Sequence, residues 1–132
     1  MDENNKRILV EQQKSKAIRF IQQAEEMCSL HYCDLAANRY YYACFHAIQA
    51  LFIKDSISAH THSGVLTQFS LNYVKTGKVD IRYGAFLARM MQLRQKADYN
   101  CSYDITEEEI SEIRPLAEEL VKVIIHLLLV QK

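Results

Sequence analysis

The sequence predicts an all-α protein, an up-and-down bundle of four to five helices. Three observations carry that expectation. The 132 residues contain only 3 Gly and 1 Pro, too few for the turns of a sandwich or barrel. Apolar residues recur at helical spacing through most of the chain, and 49% of the residues are apolar against 24% charged, far from a disordered composition. A chain of this length loses roughly two thirds of its surface on folding, enough for a core without metal or disulfide. One domain over residues 1–132 is therefore expected, with no linker, repeat or low-complexity tract.

The elements follow in order. Residues 4–29 read as a first helix, with Ile8, Ala17, Phe20, Ile21, Ala24 and Cys28 at spacings of three and four. A second helix is predicted over 34–54, with Asp34 as its N-cap and Leu35, Arg39, Tyr42, Ala43, His46, Ala50 and Ile53 along one stripe. This helix is apolar nearly all round, which places it centrally. A loop over 55–62 leads to a short helix over 62–75, with His62 as a candidate cap, ended by Thr76-Gly77-Lys78. The fourth helix covers 80–99, with Ile81, Gly84, Leu87, Ala88, Met91 and Arg94 on one side and Gly84 allowing close approach of a neighbour. The last begins with a capping box, Thr106 to Glu109, and carries an apolar stripe of Leu116, Leu120, Val123, Ile124, Leu127 and Val130. Pro115 inside this pattern removes a backbone donor, so a kink or break is expected there.

Charge excludes some functions and suggests others. A formal net charge of zero argues against a whole-protein electrostatic grip on nucleic acid. Locally the chain is polarised. Residues 72–97 hold six Lys and Arg against Asp80, a net of +5, and residues 98–119 hold eight Asp and Glu against Arg114, a net of −7. The polar start, Met1 to Arg7, does not resemble a signal peptide, and the longest apolar run, Val123 to Val130, falls far short of the ~20 residues of a membrane span. A cytoplasmic protein away from membranes is expected. Cys28, Cys33, Cys44 and Cys101 form no CxxC pair, so small buried thiols are expected rather than a metal or redox site. His60 and His62 alone are a weak metal signal, and no phosphate loop, G-x-S-x-G or H-E-x-x-H occurs, so no cofactor or metal is expected.

Two pairs of residues could carry chemistry. Arg39 and His46 are two turns apart on one helix with Tyr42 between them; they form either a general base beside a cation or a neutralised structural pair. Arg94 and Asp98 make an i, i+4 pair, read either as an ion pair or as Arg94 clamping a phosphate with its planar fork of donors.

The run Asn38 to Leu51, with its Tyr-Tyr-Ala-x-Phe-His core, is followed by Thr61-His62-Ser63-Gly64-Val65 and Arg94-Gln95-Lys96-Ala97-Asp98-Tyr99. These three motifs resemble the HEPN domains (higher eukaryote and prokaryote nucleotide-binding), over about residues 5 to 130. The resemblance implies a helical bundle that dimerises, and a role as a toxin, an RNA-processing ribonuclease, or the companion of a small nucleotidyltransferase, with RNA or nucleotide as ligand. The family's ribonuclease signature is an Arg followed after four to six residues by His. Here the positions after Arg94 that would hold it are Tyr99, Asn100 and Cys101. The Arg carries over and the His does not. The expected site is a polar groove between the second and fourth helices presenting Arg39, His46, Arg94, Asp98 and Tyr99. Its expected function is a nucleotide- or RNA-binding regulatory module of a toxin–antitoxin-like system, with a metal-independent ribonuclease and a non-catalytic adaptor as alternatives.

Overall fold

A computed structural model describes residues 2–99 and 104–130, with side chains described for all of these except 98 and 99. The described residues are all-α: α1 (Glu3–Ser29), α2 (Cys33–Asp55), α3 (His62–Phe69) continued by a π-helical turn (Ser70–Val74), α4 (Ile81–Tyr99) and α5 (Glu107–Leu129). Two compact units result, Met1–Ser58 with Ile105–Lys132, and Ala59–Asp104.

In the first unit α2 is the central element, flanked by α1 and α5. Side-chain pairings give the directions. Cys28 meets Tyr40, Gln13 meets His46 and Lys6 meets Ser56, so α1 runs antiparallel to α2. Asp34 meets Ile105, Cys44 meets Ala117 and Lys54 meets Leu127, so α5 runs parallel to it. The packing surface of α2 is built largely from small residues, Ala36, Ala37, Ala43, Cys44, Ala47 and Ala50, all buried. Tyr40, Ile48, Leu51 and Phe52 fill the space between them. This face is offset from the predicted stripe. Ala43 and Ala50 are buried, but Leu35 is exposed and Arg39, Tyr42, His46 and Ile53 are half-buried, because two flanking helices cover most of α2 and leave only this seam.

Asp34 is not the N-cap of α2. The helix starts one residue earlier, after Tyr32, and the Asp34 carboxylate instead accepts from the Ile105 N–H at 2.7 Å, fastening the lead-in to α5. At the other end of α2, the Lys54 ammonium donates to the Leu127 and Val130 carbonyls at 3.2 and 2.9 Å, satisfying carbonyls that the end of α5 leaves open. The capping box is present: the Glu109 N–H donates to Thr106 Oγ1 at 3.1 Å and the Thr106 N–H to Glu109 Oε1 at 3.0 Å. Of the kink or break expected at Pro115, no break occurs, since α5 continues through it. Pro115 is exposed, and the missing N–H costs a single bond that flanking turns and the packing of Ile113, Ala117 and Leu120 outweigh. Of the cysteines, Cys44 is buried while Cys28 and Cys33 are only half-buried; Cys101 lies outside the described residues. Burial pushes the Cys44 thiol up to about 12, which makes it inert.

In the second unit, Thr61 rather than His62 caps α3, its Oγ1 accepting from the Gly64 N–H at 2.9 Å. The predicted third helix changes to π geometry at Ser70, and Gly77 ends the segment at φ +80. Gly84 permits the close approach expected of it, because a Cβ there would lie 3.3 Å from Val74 Cγ2. The buried face of α4 is Tyr83, Phe86, Leu87, Met90 and Leu93, about one residue round from the predicted side, and Ile81 is 77% exposed. Among the described residues no helix is long and apolar enough to cross a membrane.

Replacing Pro115 with Ala restores an N–H at an exposed helical position, and the unfolding free energy from urea denaturation is expected to rise by about 1–3 kcal/mol. Asp34→Ala leaves the Ile105 N–H unsatisfied and is expected to cost about 1–3 kcal/mol in the same measurement.

Candidate functional site

The seam of α2 left open between its neighbours is where the described polar and aromatic groups meet. Arg39, Tyr42 and His46 project from it at successive turns, and α1 supplies Gln13 and Phe20, seven residues apart and so also two turns. The Arg39 guanidinium sits over the Phe20 ring, 5.3 Å from its centroid, and Nη1 donates to Asn38 Oδ1 at 2.8 Å. The imidazole of His46 meets the edge of the same Phe20 ring, centroids 5.3 Å apart. Tyr42 and Phe45 flank His46 at 6.4 and 5.9 Å. Arg39 and His46 thus lie against a shared aromatic surface, contributed by the apolar stripe of α1.

His46 Nδ1 is 2.7 Å from Gln13 Oε1. With that oxygen as acceptor, Nδ1 carries the proton and Nε2 keeps its lone pair. Burial lowers the His46 pKa below the usual histidine value, and the charges of Lys16 and Arg19 on α1 lower it further. The imidazole is therefore held neutral at physiological pH, the protonation state that a general base or a hydrogen-bond acceptor needs. Lys16 and Arg19 are exposed. Together with Arg39 they give the seam three cations, one stacked on an aromatic ring. Guanidinium stacking of this kind is worth about 0.5–1 kcal/mol at exposed sites and orients the fork of donors toward solvent.

Arg94 is half-buried on α4 and belongs to the second unit. Asp98 and Tyr99 follow on the same helix, and their side chains lie outside the described residues. The structure brings Arg39 and His46 together around Phe20. Gln13, Phe20, Lys16 and Arg19 were not among the sequence candidates. Their signal was the spacing of Gln13, Lys16 and Phe20 at i, i+3 and i+7, a stripe that mixes polar with apolar residues where a pure core stripe would not. No group of three or more His, Cys, Asp and Glu converges as a metal ion would require among the described residues.

Comparison with known proteins identifies the family. The model of the HEPN domain matches residues 10–127. The chain belongs to the HEPN family. A Thermotoga maritima protein named "UPF0332 protein" is 33% identical over 109 residues, 83% of either chain. Two Methanocaldococcus jannaschii proteins, each named "Putative toxin", are also similar. One is 31% identical over 94 residues, 71% of this chain and 64% of that protein. The other is 37% identical over 86 residues, 65% of this chain and 63% of that protein. This HEPN chain thus spans just under two thirds of the two archaeal relatives.

The lowered pKa of His46 sets a pH dependence. Below the ordinary histidine pKa of about 6.5 the unfolded chain takes up a proton that the folded chain resists, so this group costs stability as pH falls from neutrality toward its folded value. The cost stops growing below the folded pKa. His46→Gln is expected to flatten this part of the stability profile between about pH 7 and 5, and in the wild type the His46 ring is expected to titrate below the ordinary histidine value by NMR.

Proposed function

We propose that this HEPN protein is a toxin-like module that binds RNA or nucleotide on the α1–α2 seam. It would act in the cytoplasm as a homodimer, within a toxin–antitoxin-like system that pairs it with a nucleotidyltransferase. The observation that carries the reading is the arrangement around Phe20: a stacked guanidinium, a neutral imidazole and a half-buried aromatic surface beside two exposed cations. Phosphates are held by cations and bases by aromatic faces, and sequence-tolerant binding of single strands needs both. The toxin names of the two archaeal relatives support the wider setting. In this reading Arg94 on α4 of the second unit is a phosphate contact in its own right, with Asp98 and Tyr99 following it on the same helix.

A second reading is favoured by the state of His46. A neutral imidazole with its Nε2 lone pair available, next to a fixed guanidinium, could take a proton from a ribose 2′-hydroxyl while the cation stabilises developing charge. That would make the protein a metal-independent ribonuclease that uses His46 in place of the missing His after Arg94.

One experiment separates the two. Purified protein is titrated against a fluorescein-labelled 12-nucleotide single-stranded RNA in EDTA, and the RNA is then run on a gel. Binding without cleavage is expected, weakened about 3- to 10-fold by Arg39→Ala, with a shallower salt dependence. Phe20→Leu is expected to weaken it by about 0.5–1 kcal/mol through loss of the ring that orients Arg39. EDTA-resistant cleavage lost in both His46→Ala and Arg94→Ala would establish the ribonuclease instead. A folded protein that binds no RNA would leave the adaptor.

A further inference from the structure

The turn between α1 and α2 exposes three large apolar residues within six positions. Leu30 is 56% exposed, Tyr32 54% and Leu35 52%. Leu30 is the C-cap of α1, Tyr32 precedes the first residue of α2, and Leu35 lies in its first turn, so all three sit at one end of the three-helix unit. The turn is held from both sides. His31 adopts φ 63 and its Nδ1 lies 3.0 Å from Glu107 Oε1 at the start of α5, while Asp34 accepts from Ile105 N–H. Burial raises the Cys33 pKa, and the neighbouring Glu107 carboxylate raises it further. Apolar side chains on a pinned turn lose little further freedom when a partner covers them.

The rim around them is mostly acidic, with Arg39 and Arg114 just outside the two segments that form it. From Phe20 to Asn38 the sequence contains Glu25, Glu26 and Asp34 and no Lys or Arg. From Ile105 to Ile113 it contains Glu107, Glu108, Glu109 and Glu112, again with no Lys or Arg. Glu26 is fixed at the turn through its carbonyl, which accepts from the Leu30 N–H and the Ser29 hydroxyl. Such a rim repels phosphate and anionic lipid, so RNA and membrane surfaces are poor occupants, and it attracts Lys and Arg. The apolar centre requires an occupant that brings apolar side chains of its own.

We propose that this end of the unit, centred on Leu30, Tyr32 and Leu35 and rimmed by Glu26, Asp34 and Glu107, is a docking surface for a cationic amphipathic segment of another protein. The partner's apolar side chains cover the three exposed residues and its Lys and Arg meet the carboxylates. The surface adjoins the Phe20 seam, Leu35 lying one turn before Arg39 on α2, and serves a different class of ligand.

The test uses the full chain and a fluorescein-labelled synthetic 14-residue peptide with Leu at helical spacing and Lys elsewhere, read by anisotropy. A second peptide replaces every Lys with Glu. The Lys peptide is expected to bind, and the Glu peptide to bind at least about tenfold more weakly. The doubly substituted Leu30→Ser, Leu35→Ser protein is expected to lose at least about tenfold in affinity for the Lys peptide. Glu26→Lys is expected to lose severalfold, with a weaker dependence on salt. All of these positions are exposed, circular dichroism confirms folding, and the variants should keep the RNA binding of the wild type. No anisotropy change with the Lys peptide up to about 1 mM overturns the proposal, as does equal binding of both peptides or equal binding to the variants. Concentration-dependent self-association that is lost in the double variant and competes with the peptide also overturns it, by making a second copy the occupant.

Discussion

The packing of α2 is the constraint on which the first unit depends. A helix that is apolar on nearly every side has to be covered on nearly every side. Its small residues let that happen at close range: Ala36, Ala43, Ala47 and Ala50 are almost fully buried. Close approach places Tyr40 in the interior with its hydroxyl 3.8 Å from Cys28 Sγ, and burial then raises the phenol's pKa far above its ordinary value. Full burial of a side chain of this size contributes about 1.5–3 kcal/mol, so a handful of such residues supplies most of what orders the three helices. Substituting bulk for one of these alanines would act on both flanking helices together.

What α2 cannot bury becomes the site. Two flanking helices leave one seam, and the residues along it are those that could not go inside without a partner: an arginine, a histidine and a tyrosine. The fold handles them by sharing. Phe20 receives the guanidinium on its face and the imidazole at its edge, and Gln13 fixes the imidazole's tautomer. Burial keeps His46 unprotonated, and the neighbouring charges of Lys16 and Arg19 act in the same direction. The three cations and a neutral imidazole are thus parts of one arrangement.

The ends of α2 are tied by polar groups that look unremarkable in the sequence. Asp34 bonds the strand of backbone entering α5, and Lys54 bonds the carbonyls leaving it. Both connect residues more than seventy positions apart, so they fix the parallel alignment of α2 and α5 in a way that apolar packing alone, tolerant of sliding by a turn, would not. The same anchoring at the Asp34 end leaves Leu30, Tyr32 and Leu35 outside, since their backbone is committed to the turn while no helix of the first unit passes over them.

The sequence by itself determined the helical class, the position of each helix to within a residue or two, the capping box and the glycine stop, because these depend on local spacing and on backbone chemistry within a few residues. It also carried the family, through three motifs in order. Tertiary structure decided the rest. Which stripe of α2 and α4 is buried depends on where the neighbours lie, and a shift of one residue turns a helix face by about 100°. Asp34 was legible as a cap because Asp at a helix start ordinarily is one. It became a long-range acceptor because an N–H far away in sequence came within reach. Pro115 was legible as a breaker, and packing on both sides carried the helix through it. Arg39 and His46 were visible as a pair, but the ring that joins them comes from α1, and no spacing within α2 could have named Phe20. Contacts between helices depend on register and direction, and those are fixed only when the helices meet.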